Sequence, residues 1–179
     1  MDCGNVYGTE SGSLEEKVVS YFGMLTPKEL KQFSSLVKKI DKPHEGLPQP
    51  VFDALLEIVP FVACELIVAN KEKGLLLTWR NDKWFRGWHF PGGLLRFRES
   101  FEERIQAVAW KELGVNISKF KLLYPKDCSQ GARGHCVSLV FECETAMTPK
   151  KGKFFKKMPK NIVEAHKEFW SKAEYLIKK

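Results

Sequence analysis

The sequence predicts an α/β layered sandwich, and two observations support this prediction. Apolar runs of strand-like length, rich in Val, Ile, Leu and Phe, lie on both sides of one segment with helical spacing. A further helical segment follows near the carboxyl end. Strands that flank a central helix, with another helix after them, are typical of a sheet covered by helices.

The predicted elements are separated by turn and breaker residues. We expect strands at 61–69, 75–79, 88–90, 120–124 and 135–144. We expect helices at 51–58, 100–113 and 171–177, and a basic loop at 148–160. Gly114 stands where a C′ glycine would end the central helix.

The amino-terminal part has a different pattern, and we divide the chain into three regions. Residues 1–12 are expected to be a disordered tail, 13–44 a helical extension and 45–179 the main domain. Ser13 with Glu16 suggests a first helix, and Thr26 with Pro27 and Glu29 suggests a second. This extension either covers part of the main domain or contacts a second copy in a homodimer, and the first role is favoured.

Composition limits the classes of function. The chain has 179 residues and a net charge of +7, which suits an anionic ligand and equally suits simple solubility. Five cysteines without a CxxC pair argue against a disulfide scaffold and a structural zinc site, and indicate a reducing cytoplasm. No signal segment and no membrane-spanning run is recognised, and nucleic-acid binding by the basic run at 150–157 is less favoured than a solvated loop.

The residues that suggest chemistry begin with Pro91-Gly92-Gly93 and continue into the predicted central helix. Glycines let backbone carbonyls and amides approach a ligand closely. A carboxylate near the end of the following helix, Glu112, is able to point back at that turn. Such oxygen ligands suit Mg²⁺, with Mn²⁺ as the alternative, and a bound cation would neutralise a diphosphate.

This segment resembles the Nudix box, G-x5-E-x7-R-E-U-x-E-E-x-G-U, in which U is a bulky aliphatic residue. Gly93, Glu99, Glu112, Gly114 and Val115 match the pattern. Three positions depart from it: Ala107 replaces the Arg, Val108 replaces a Glu, and Lys111 replaces the first Glu of the pair. The resemblance implies a Nudix-type α/β/α sandwich with a mixed sheet, and Glu99 that braces the loop.

The loss of box acids is similar to that in the GDP-mannose mannosyl hydrolases, a Nudix subgroup. Residues 47–68, 87–93, 134–142 and 164–170 also resemble segments of that subgroup. The resemblance implies Mg-dependent hydrolysis of a nucleoside diphosphate sugar by attack at the sugar carbon. Two alternatives stay open: a pyrophosphohydrolase that attacks phosphorus of another nucleotide, and an inactive nucleotide-binding module in which Lys111 replaces the metal.

The resemblance also implies roles for individual residues. The Gly92 carbonyl and the Glu112 carboxylate would bind the metal. His166 is the candidate general base, and Glu164 is the alternative for the base or a metal ligand because the family histidine falls one residue away. Arg80 and Glu65 would contact base, sugar or diphosphate, or form an ion pair with each other.

Further substrate contacts are expected from His135, Trp84 and Arg104. His135 either contacts the ligand or lies on its strand without such a contact, and Trp84 would stack on the base. The subgroup's two diphosphate arginines fall on Leu94 and Ala107 here. Arg104 lies on the same helix face as Glu112 and would compensate for them.

Overall fold

The computed structural model describes residues 25–131 and 133–178, and the chain divides into two units, 1–42 and 43–179. The predicted tail at 1–12 and the helix suggested by Ser13 lie outside the described residues. In the first unit, helix α1 (Pro27–Val37) begins as the sequence predicts, with a capping box between Thr26 and Glu29.

The described residues of the second unit form a seven-stranded sheet and four helices. Its elements are α2 (Gln49–Leu55), β1 (Phe61–Asn70), β2 (Gly74–Asn81), β3 (Arg86–His89), β4 (Gly92–Leu94), α3 (Phe101–Leu113), β5 (Lys119–Cys128), β6 (Cys136–Glu144), β7 (Lys153–Phe155), α4 (Glu164–Ala173) and α5 (Tyr175–Lys178). The main strand order is β3-β2-β1-β6-β5, while β4 pairs with β1 and β7 pairs with β2. The sheet is mixed, because β1 and β6 run parallel and the other pairs are antiparallel.

Two hydrophobic cores cover opposite faces of this sheet. Ile105, Val108 and Leu113 of α3 pack with Leu66 and other residues of one core. Phe169 and Trp170 of α4 pack with Phe90, Ile67 and their neighbours in the other core. Alternate residues of β1 thus enter different cores, as the period of a strand requires. The expected α/β/α sandwich is confirmed.

Three local predictions are wrong. The segment 148–160 is not only loop, because Phe154 and Phe155 of β7 pack against the two cores. Gly92 and Gly93 form strand β4 instead of a simple turn. The last helical region begins at Glu164 and not at 171. Within the described residues, we find no helix that is long and apolar enough to cross a membrane.

Candidate active site

The central feature of the site is the Glu112 carboxylate at the end of α3. Ser100 caps this helix at its start and Gly114, with φ 68°, ends it, so Glu112 lies on its last turn. Thr78 Oγ1 donates a hydrogen bond of 2.8 Å to Glu112 Oε2. His89 Nε2 lies 3.0 Å from the same hydroxyl and 3.5 Å from the carboxylate. Burial raises the pKa of Glu112, and the Gly92 backbone amide opposes this rise.

Glu65 brings a second carboxylate to Gly92, at the start of β4. The antiparallel register of β1 and β4 places Glu65 directly opposite Gly92. A Cβ atom on Gly92 would lie 2.1 Å from Glu65 Oε2, so any larger residue there would force this carboxylate to move. Glu65 Oε2 is buried and has no hydrogen-bond partner within the described part of the chain. Burial and the charge of Glu112 raise the pKa of Glu65 to about 8.

These groups fit a hard divalent cation. Magnesium sites commonly use one or two carboxylates and leave other positions to water and substrate phosphates. The Glu65 carboxylate lies against Gly92, the Gly92 amide bonds to the Glu112 carboxylate, and Glu65 Oε2 has no hydrogen-bond partner among the described residues. Among residues 25–131 and 133–178, no cluster of three His, Cys, Asp or Glu side chains suited to a metal ion exists. A cation held here would therefore have few ligands from the described residues.

Two arginines stand close to the carboxylates. Arg80 lies near the end of β2, after the buried residues of that strand. Its Nε donates to Asp82 Oδ2, and its guanidinium lies over the Phe85 ring at 4.9 Å. The charges of Arg80 and Arg133 both oppose the rise in the pKa of Glu65. Arg133 lies in the connection between β5 and β6, with its guanidinium over the Phe52 ring at 5.5 Å.

Arg104 is engaged beneath the glycine turn. Its Nε donates to Glu99 Oε2 and its Nη2 donates to Glu99 Oε1, both at 2.7 Å, which gives a bidentate ion pair. Glu99 Oε2 also accepts from the Arg96 backbone amide at 2.9 Å. Glu99 thus holds the loop that precedes α3 in place. The guanidinium of Arg104 points at this carboxylate and not into solvent. Its role as a phosphate contact stays a prediction.

The two candidate bases lie at the start of α4. His166 Nδ1 accepts a hydrogen bond of 3.1 Å from the Phe90 amide, which attaches α4 to the chain just before the glycine turn. Burial, with the charges of His89 and Arg80, lowers the pKa of His166 to about 3. Its ring is therefore neutral at physiological pH. Glu164 is exposed and pairs with Lys167 at 2.6 Å.

His135 and Trp84 are exposed. His135 Nε2 lies 3.2 Å from Asp127 Oδ1. Trp84 keeps 41% of its surface exposed and contacts the Lys83 ammonium. Asp82 Oδ1 accepts from the Trp84 and Phe85 amides and so fixes this loop. The roles of both residues in substrate binding stay predictions.

Four residues at the site were not recognised from the sequence: Thr78, His89, Phe52 and Arg133. Thr78 and His89 gave no signal, because their contact with Glu112 depends on the pairing of β2 with β3. Arg133 stands between Gly131 and Gly134 just before a strand, and this spacing of glycines was a usable sign of a shaped loop.

Comparisons with known proteins identify the family. The NUDIX domain model matches residues 60–179. The glycan biosynthesis protein Agl8 of Haloferax volcanii is 34% identical over 79 residues, which are 44% of this chain. The chain spans about half the length of this relative, since the match covers 50% of it.

Several solved structures share the fold. The MutT Nudix hydrolase of Burkholderia pseudomallei has a TM-score of 0.54 at 19% identity, over 63% of this chain and 97% of that one. The MutT protein of Methanosarcina mazei has a TM-score of 0.53 at 14% identity, over 68% and 99%. The Nudix domain of Shewanella oneidensis NrtR, solved with ADP ribose, has a TM-score of 0.52 at 18% identity, over 65% and 88%. With the domain model matching residues 60–179, the chain belongs to the Nudix hydrolase family.

Proposed function

We propose that this chain is a divalent-cation-dependent hydrolase of a nucleoside diphosphate sugar, which it cleaves into sugar and nucleoside diphosphate. The observation that carries the proposal is the pair of carboxylates, Glu65 and Glu112, that meet at Gly92 beside Arg80. This arrangement provides negative groups for one cation and a positive group for a diphosphate.

The positions of the missing box acids favour attack at the sugar carbon. Val108 is buried, and its methyl group lies 2.9 Å from a Cβ placed on Gly93, so an apolar side chain supports the turn where the family pattern has an acid. Lys111 is exposed on the same helix. One cation that bridges a diphosphate stabilises a leaving group, whereas water activation at phosphorus needs more metal ligands.

A sugar nucleotide is favoured by two further considerations. The sequence resembles the GDP-mannose mannosyl hydrolases over several segments of residues 47–170. The relative from Haloferax volcanii is, by its name, a protein of glycan biosynthesis. Sugar nucleotides are the donors from which glycans are built, so a diphosphate sugar suits both.

The residues would divide the work as follows. Glu112, Glu65 and the Gly92 carbonyl would hold Mg²⁺, or Mn²⁺ in its place. When bound, the cation would withdraw charge from the diphosphate as the sugar bond breaks. Arg80 would bind the diphosphate.

Proton transfer from water needs an accessible acceptor. Glu164 is favoured over His166, because the Glu164 carboxylate is exposed whereas the Phe90 amide occupies His166 Nδ1. In this proposal, His166 positions the backbone that leads into the glycine turn. His135 and Trp84 are exposed and would contact the sugar or the base.

A second candidate is a nucleotide-binding module without catalysis. The observation that favours it is that Val108 and Lys111 stand where the family pattern has acids. The charge of Lys111 also opposes the burial-driven rise in the pKa of Glu112. A module of this kind would bind a diphosphate sugar and return it unchanged.

The test is a panel of nucleoside diphosphate sugars incubated with Mg²⁺, with free sugar and sugar phosphate measured separately. We expect free sugar, and we expect Glu112→Gln to lower turnover on the order of a hundredfold or more. Glu102→Gln is the matched control, since Glu102 is an exposed acid on the same helix.

Isotopically labelled water separates the alternatives. Label in the released sugar supports attack at carbon, and label in phosphate indicates attack at phosphorus. Binding without turnover across the panel would identify the module instead, and unchanged turnover in Glu112→Gln would show that the site is elsewhere.

A further inference from the structure

The connection between β5 and β6 holds Arg133 in a defined place. Gly134, with φ +106°, packs so closely on α2 that a Cβ there would lie 2.4 Å from the Leu56 carbonyl oxygen. The Gly134 amide bonds to the Gly131 carbonyl at 3.0 Å, and the Phe61 amide bonds to the His135 carbonyl at 3.0 Å. The chain directly after Arg133 is therefore held against Leu56, which follows α2, and against β1.

An aromatic platform supports the Arg133 side chain. Its guanidinium lies 5.5 Å from the centre of the Phe52 ring, and Phe52 itself meets the Phe61 ring edge-on at 5.4 Å. A guanidinium over an aromatic face keeps its plane of donors fixed. The side chain is half-buried, so it does not extend freely into water.

The charges around Arg133 are unbalanced. Within the described residues, no carboxylate lies at ion-pair distance from its guanidinium; nearby Asp82 is bonded to Arg80 instead. Burial lowers the pKa of Arg133 and the positive charge of Arg80 lowers it further, while Asp82 and Glu65 oppose this fall without pairing with the guanidinium. Two half-buried guanidinium groups that repel each other are stabilised by an anion that both contact.

The usual source of such contacts is missing from this chain. The two positions at which the resembling subgroup carries diphosphate arginines hold Leu94 and Ala107. Arg104, the nearest substitute on α3, is bonded to Glu99 through both sides of its fork. The charges of Arg80 and Arg133 both act on Glu65, so a diphosphate bound by a cation at Glu65 and Glu112 would lie near these two arginines.

We propose that Arg133 is a second diphosphate-binding residue, which acts together with Arg80 and is held in place by Phe52. This inference rests on the proposed function, because it assumes that the ligand carries a diphosphate. Arg133 would replace the two arginines that this chain lacks.

The test is a calorimetric titration of the full chain with inorganic pyrophosphate in Mg²⁺. We expect Arg133→Gln to weaken pyrophosphate binding about tenfold or more, because the phosphate loses its charge-assisted hydrogen bonds to the guanidinium. The dependence of affinity on salt should also become shallower by about one ion. Arg98→Gln is the matched control, since Arg98 is exposed and likewise stacks on a ring, that of Phe97 at 5.1 Å; its affinity should equal that of the unchanged chain.

Arg133→Lys keeps the charge and the hydrocarbon stem but loses the planar fork, so we expect an intermediate affinity. It also serves if Arg133→Gln does not fold, which urea unfolding would reveal. Equal affinity and salt dependence in the folded variants and the unchanged chain would overturn the proposal, and so would absence of pyrophosphate binding to the unchanged chain. If no sugar nucleotide is hydrolysed while Arg133→Gln still loses pyrophosphate affinity, the proposed function fails and the role of Arg133 stands.

Discussion

Glu65 lies on β1 between the apolar residues Cys64 and Leu66, with its Oε2 atom buried and without a hydrogen-bond partner. A buried carboxylate is costly to ionise unless it is paired. Arg80 and Arg133 reduce this cost, but Glu112 increases it, and burial raises the pKa of Glu65 to about 8. The chain thus keeps, at the Gly92 turn, an acid that is easier to protonate than to ionise in the absence of a cation.

This raised pKa predicts how Glu65→Gln changes stability with pH. Because the folded state holds the proton more tightly than the unfolded state, the favourable contribution of Glu65 is complete below its ordinary pKa of 4.5. It is lost as the pH rises to about 8. We therefore expect the free energy of unfolding of Glu65→Gln, relative to that of the unchanged chain, to rise by at least about 1 kcal/mol between pH 5 and pH 8.

Urea unfolding in the presence of a chelator measures this difference. Glu102→Gln on α3 is the control and should show no such change with pH. A constant difference between the Glu65→Gln variant and the unchanged chain at the two pH values would show that Glu65 is ionised at no cost.

At the scale of elements, α3 is fixed by local signals and by one pair beneath the turn. Ser100, Glu103 and Gly114 define its ends, and this was predictable from the sequence because caps depend on neighbours a few residues away. The partner of Arg104 was less predictable. The family pattern puts its Arg at position 107, but the bidentate pair with Glu99 is made one turn earlier on the helix.

Removing this pair should loosen the turn. In Glu99→Gln, the buried guanidinium of Arg104 loses its charged partner, and the Arg96 amide loses its charged acceptor. We expect a loss of about 1–3 kcal/mol in the free energy of unfolding. Urea unfolding measures it, with Glu102→Gln as the control. Equal stability of both variants would mean that the ion pair contributes nothing.

The strands show why the rest of the site was not predictable from the sequence. The long apolar strands β1 and β6 were predicted, because their side chains alone indicate burial. Strand β4 was not, since Gly92 and Gly93 have no strand propensity and pair with β1 only through a distant register. The contact of Glu65 with Gly92, on which the proposed metal site depends, follows from that same register.

At the scale of the whole molecule, the site is connected to the core on the α4 side through two buried histidines. The rings of His89 and His166 meet edge-on at 5.6 Å, and His166 stacks near Phe90 and meets Phe169 edge-on. Burial lowers the pKa of His89 to about 4 and that of His166 to about 3. Both rings are therefore neutral at physiological pH, and their protonation in acid would disturb the core and the site together.

His166→Asn tests this connection and the role of the residue at once. Because folding depresses the pKa of His166, its contribution to stability is present above the ordinary pKa of 6.5 and is lost as the pH falls toward 3. Asn keeps an acceptor near the position of Nδ1 but does not titrate. We expect the stability advantage of the unchanged chain over His166→Asn to shrink by about 1–2 kcal/mol between pH 7 and pH 5 in urea unfolding. His44→Asn, at an exposed histidine, should show no such change.

Turnover gives a second test of His166→Asn. If His166 only positions the Phe90 backbone, His166→Asn should keep at least about a tenth of the turnover on the best sugar nucleotide at neutral pH, because the retained acceptor preserves the backbone before Gly92. A loss of a hundredfold or more with unchanged stability would instead identify His166 as the general base and displace Glu164 from that role.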